Sequence, residues 1–86
     1  MDAEKYILQT QKDIYEELVV ALNWPAMNSA HEGYGVLLEE FDELWAWVKT
    51  KQKNRNIDAM RQEALQIAAM AIRFAVDVCN EEVGRK

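Results

Sequence analysis

The near absence of chain-breaking residues constrains this sequence more than any other feature. Among 86 residues there are three Gly and one Pro. Few tight turns can be made, so the chain must run in long uninterrupted elements. The one strong breaker is Asn23-Trp24-Pro25. Pro disfavours the helical region for the residue before it, which predicts a helix end near Leu22 or Asn23. Upstream, Ile7, Ile14, Leu18, Ala21 and Leu22 recur at helical spacing, as on an amphipathic helix with an expected span of 3–22.

A second helix has a legible start. Ser29-Ala30-His31-Glu32 fits a capping box, in which Ser and Glu each satisfy an exposed amide of the first turn. Tyr34, Leu37, Phe41, Leu44 and Val48 form the expected core stripe, and the helix should reach about Lys51 or Lys53. The polar, basic stretch 49–56 reads as a connection whose cations complement the carboxyl end of the preceding helix. A third helix is expected after Asn56 or Asp58, both good caps, running to about Cys79 or Glu82. Its middle, Ala64 to Ile72, is apolar almost all round, the mark of a helix covered on most sides. Two other helices of one short chain hardly supply that cover. The expectation is one all-α domain over 1–86, an antiparallel bundle of three main helices whose four-helix-bundle core is completed by oligomerisation.

Composition removes other classes. Half the residues are hydrophobic, too many for a disordered chain. One Cys and one His exclude an internal disulfide and a Cys-based or two-His metal site. A net charge of −5 argues against a nucleic acid polymer as partner. No apolar run is long enough to span a membrane. The first residues lack the pattern of a secretory signal, so the expected location is cytoplasmic.

The acids are not spread evenly. Between Asp13 and Val48 there are eight acidic residues and no Lys or Arg, a formal −8 that leaves +3 for the rest. Like charges one turn apart disfavour a helix, and a bound divalent cation would relieve them; carboxylate oxygens suit Mg²⁺ or Mn²⁺. Within Glu39-Glu40-Phe41-Asp42-Glu43, helical geometry puts Glu40 and Glu43 on one face with Val36 and Trp47, with Glu39 beside Glu43 and Asp42 turned away. Glu63 leads the apolar middle of the third helix, on a stripe with Gln66, Met70 and Asp77 and with Arg73 at its edge. A carboxylate at such a rim needs a partner. Either Arg61, Arg73 or a neighbouring chain neutralises it, or the second and third helices pack antiparallel and bring it to Glu40 and Glu43.

Glu39-Glu40-Phe41-Asp42-Glu43 matches E-E-x-x-E, and Glu63-Ala64-Leu65-Gln66 partly matches E-x-x-D. In this order, with a very apolar helix after the second motif, the chain resembles the all-α nucleoside triphosphate pyrophosphohydrolases, the MazG-like proteins and dimeric dUTPases, over residues 28–80. The resemblance implies an Mg²⁺-dependent enzyme that cleaves a nucleoside triphosphate between its α and β phosphates in a house-cleaning role. It implies Glu40, Glu43, Glu63 and Gln66 as the metal-ligand positions. Glu39, with Glu40, would be catalytic, Glu39 as a further ligand or the base that orients water. It also implies a homodimer or homotetramer.

Gln66 departs from the pattern, since it brings an amide oxygen but no charge, and Asp77 lies too far along the helix to replace it. A second reading is therefore a catalytically weak nucleotide-binding or helical interaction module. A third is a plain helical oligomer with a solvated acidic face. Trp47 is placed to stack a base or pack at an interface. Lys49 and Lys53, with Lys51 and Arg55, could meet phosphates or line an ordinary loop. Arg73 and Asp77 are further candidate substrate contacts. His31 reads as a solvent-facing or cap-adjacent first-turn residue that could instead contact phosphate or base, and Cys79 as a small buried one.

Overall fold

A computed structural model describes residues 2–80. The chain forms α1 (Ala3–Ala21), α2 (Ala30–Val48), a short 3₁₀ turn (Gln52–Asn54) and α3 (Ile57–Asp77), with no strand among the described residues. None of these helices is long and apolar enough to cross a membrane.

Local chemistry sets the boundaries. Asp2, Ser29 and Asn56 cap the three helices, their side-chain oxygens accepting the amides of Lys5, Glu32 and Ala59. The capping box at α2 is only half formed. The Glu32 carboxylate passes Ser29 and accepts instead from Asn28, at its backbone amide and side-chain nitrogen. The end of α2 at Val48 is earlier than the expected Lys51 or Lys53. Lys51 is extended, with ψ 137°, and Arg55 folds back to donate to the carbonyls of Trp47 and Val48. A cation there satisfies open carbonyls at the negative end of the helix. α3 ends at Asp77, short of Cys79, which is exposed rather than buried. Glu82 lies outside the described residues.

α3 is the central element, with α1 and α2 packed on it and no close backbone approach between those two. α2 and α3 are antiparallel: Gly33 early in α2 meets Phe74 late in α3, while Glu43 lies beside Glu63. α1 and α3 run the same way, joined by Asp13–Arg61 at 2.7 Å near one end and by Arg73 on the Ala21 carbonyl at 2.6 Å near the other. Gly33 is required at its crossing. A Cβ there would sit 2.6 Å from Phe74 Cδ2 and 3.0 Å from Met27 Sδ.

The core is thin. Among the described residues the buried apolar ones are Ala21, Met27, Leu65, Ala69 and Val78, and no large side chain is fully buried. The radius of gyration is 14.6 Å, against about 12 Å for a compact chain of this length. The expected stripe on α2 is rotated. Leu37 and Leu44 are half-buried toward α3, but Tyr34, Phe41 and Val48 are exposed. Gly33, Glu40 and Trp47 take the inward positions instead, because the Phe74 ring needs the bare Gly33 backbone. On α1, Ile14, Leu18 and Ala21 face inward, whereas Ile7 and Leu22 do not. In α3, Ala64, Ala71 and Ile72 stay exposed, so the helix expected to be covered on most sides is covered on two.

Candidate metal centre

The antiparallel crossing of α2 and α3 juxtaposes three carboxylates. Glu40 projects from the α3-facing side of α2, Glu43 follows one turn later, and Glu63 lies in the second turn of α3. One oxygen from each lies within 4.8 Å of the others. Glu40 and Glu63 are half-buried and Glu43 is exposed, so the cluster is closed by the helix pair on one side and open on the other.

Its electrostatics are unfavourable as it stands. Glu40 Oε2 and Glu63 Oε2 are buried and accept no hydrogen bond, a costly state for carboxylate oxygens. Loss of solvation pushes the Glu63 carboxyl up to about 7, with the Glu43 and Glu40 carboxylates adding to the rise. Glu40 is raised too, by loss of solvation first and then by Glu43 and Glu39, while its interaction with Glu63 lowers it. Among the described residues, no ion pair relieves them. Arg61 pairs with Asp13 on α1. Arg73 is buried on the carbonyls of Ala21, Trp24 and Pro25 and on Asp77, 3.1 Å away. The two arginines that could have neutralised Glu63 are thus engaged elsewhere.

The donor set fits a hard divalent cation. Oxygen ligands at about 2.1–2.5 Å from an ion lie up to about 4–5 Å apart, and the three glutamate oxygens lie within 4.8 Å of one another. Such an ion would occupy the two oxygens that lack partners and remove the mutual repulsion.

The other candidate residues divide. Glu39 is exposed on α2 next to Glu40, and Trp47 is half-buried one turn beyond Glu43; both border the cluster. Lys49 and Lys53 are exposed in the connection after α2. Gln66 lies one turn after Glu63, but its amide nitrogen donates to Glu17 on α1 at 2.6 Å. Arg73 and Asp77 do not reach the cluster. They form a buried pair that holds the α1–α2 connection, with Asp77 accepting the Met27 amide at 3.0 Å. His31 is exposed at the start of α2.

Glu17 on α1 has a role that sequence reasoning missed. Its two carboxylate oxygens accept from Gln62 and Gln66, each at 2.6 Å. A carboxylate only accepts, so both amides must present nitrogen to it and turn their oxygens away. The available signal was the i,i+4 series Asp13, Glu17, Ala21 on the inward side of α1. No family model, curated protein or solved structure matches the chain.

Proposed function

We propose that the protein is a divalent-cation-dependent nucleoside triphosphate pyrophosphohydrolase, hydrolysing a (d)NTP to the monophosphate and pyrophosphate. One observation carries the reading: Glu40, Glu43 and Glu63 converge within 4.8 Å from two helices, with two buried carboxylate oxygens left without partners. The ordered motifs E-E-x-x-E and E-x-x-Q in this sequence, similar to those of the MazG-like enzymes, supply the substrate class.

In this reading Glu40, Glu43 and Glu63 hold Mg²⁺ or Mn²⁺. Such an ion neutralises phosphate charge and lowers the pKa of a bound water. Glu39, exposed beside the cluster, orients the attacking water and accepts its proton. Trp47 offers an aromatic face to the base, and Lys49 and Lys53 approach the phosphates from the connection. The ligand set lets an acidic chain take an acidic substrate. Self-association as a homodimer or homotetramer covers the exposed apolar faces.

Gln66 favours a second reading, a nucleotide-binding member of the same fold with weak or no turnover. Its amide is engaged by Glu17 and adds no charge to the site. One assay separates the two. The protein is incubated with a panel of NTPs and dNTPs with Mg²⁺ or Mn²⁺, and pyrophosphate release is followed beside thermal shift. Release that disappears in Glu43→Gln supports the enzyme. A thermal shift from metal and nucleotide without release supports the binding module. Neither signal with any combination refutes both.

A further inference from the structure

α1 and α3 are tied near one end by an ion pair, Asp13 with Arg61. One turn further along α1 the chemistry changes. Glu17 is half-buried and forms no ion pair among the described residues. Two neutral amides hold it instead: Gln62 Nε2 donates to its Oε1 and Gln66 Nε2 to its Oε2, each at 2.6 Å. Short bonds to an ionised acceptor are among the strong ones. A cation in either place would cancel the charge of the carboxylate. Two amides keep that charge and pass it on, because an amide whose N–H is held by an anion is polarised toward its oxygen. The two amides stand differently to the acidic cluster. Around α3, Gln62 lies about 100° from Glu63, whereas Gln66 lies about 60° from it and one turn further on. Gln66 is half-buried between the α1 side and the α2 side of the helix. Its nitrogen is fixed on α1, and its oxygen is turned away from Glu17, since a carboxylate only accepts.

We infer that Glu17 is a positioning residue of the carboxylate centre. By holding the Gln66 nitrogen on α1 it presents the Gln66 oxygen as a further donor beside Glu40, Glu43 and Glu63. Through the same amide it supplies the negative charge that a glutamine lacks. The inference rests on the reading of the three glutamates as a metal centre. Glu17 itself touches neither the ion nor a substrate. Groups that stand one step behind a metal ligand set its orientation and basicity, and their loss typically weakens metal binding about 10–100-fold. Gln62 is the internal control. It makes a bond of the same length to the same carboxylate but lies on the side of α3 away from the cluster, so it shares the structural part of the bridge and not the ligand part.

The test uses Mn²⁺ alone, without nucleotide, and follows the EPR signal of the free ion during titration; melts in chelator check that each variant is folded. Glu17→Gln should weaken Mn²⁺ binding on the order of 10-fold, and Gln62→Ala should leave it unchanged. Glu17→Gln combined with Gln66→Glu exchanges donor and acceptor across the bridge, returns the charge to α3, and should restore binding. Gln66→Met removes only the bridging amide. It should reproduce the loss seen with Glu17→Gln, and combining the two should add nothing further, as expected of residues that act as one unit. Should Glu17→Gln not fold, Gln66→Met and the exchanged pair still decide. Parent-like binding by Glu17→Gln or Gln66→Met overturns the inference and leaves the three-glutamate centre standing. So do equal losses from Glu17→Gln and Gln62→Ala, the mark of a plain helix clamp, or no recovery in the exchanged pair. A parent chain that binds no Mn²⁺ overturns the centre itself, and the inference with it.

Discussion

Neutralising a glutamate of the cluster should make the metal-free protein more stable while abolishing its response to metal. Glu63→Gln tests this most sharply. In the folded chain its carboxyl is pushed from 4.5 up to about 7, so the folded state holds that proton more tightly than the unfolded chain does. Stability is then favoured at low pH and lost as pH rises through 7. Moving a carboxyl that far corresponds to about 3 kcal/mol. The site is open to solvent on the Glu43 side, and screening there reduces the usable effect to about 1–2 kcal/mol.

Gln keeps the shape and never ionises. In chelator, the advantage of Glu63→Gln over the parent should be near zero around pH 4.5, grow through pH 7 and level off above it. At the plateau this is a rise in Tm of roughly 4–15 °C for a domain of this size. Mg²⁺ or Mn²⁺ should raise the Tm of the parent by mass action and leave the variant unmoved. Thermal melts of both proteins from pH 4.5 to 8.5, with chelator and with metal, give all four curves. Because the comparison is a difference, titration of groups remote from the cluster cancels, and what remains belongs to Glu63 and the carboxylates beside it. A structural carboxylate behaves oppositely. If Glu63→Gln is no more stable than the parent at pH 8 in chelator, or if the gap does not change with pH, the cluster is not a strained ligand set.

Other outcomes follow from the packing and are read by denaturant or thermal unfolding. Gly33→Ala should destabilise by about 1–3 kcal/mol, since its Cβ would meet Phe74 at 2.6 Å. Gly35→Ala, with nothing within 4 Å of the new Cβ, should stabilise by up to about 1 kcal/mol through helix propensity. The opposite signs at two glycines of one helix check the α2–α3 register directly. Arg73→Ala should cost about 3–5 kcal/mol, because it strands buried Asp77 and frees three carbonyls of the α1–α2 connection. Ser29→Ala should cost about 1 kcal/mol by uncapping α2.

Helix existence was legible because each helix has a local cause: a cap at Asn56 or Ser29, a breaker at Pro25, apolar residues one turn apart. The meeting of Glu40, Glu43 and Glu63 was legible because a short connection forces α2 and α3 to run antiparallel, so an acid late in one helix falls beside an acid early in the next. What stayed hidden depends on competition for partners. Arg73 could equally have faced Glu63; it turns to Asp77 and the carbonyls after α1 because that connection leaves three of them to satisfy. Either end of the Gln66 amide could have faced α1; Glu17 takes the nitrogen. The face of α2 was the hardest to read, because it carries two apolar stripes about one residue apart in register. Gly33 selects the inward one, since only a residue without a side chain admits the Phe74 ring. That choice turns Glu40 toward α3 and Phe41 out to solvent. The same rotation of one helix thus half-buries the Glu40 carboxylate and leaves Phe41 and Trp45 exposed on the other side.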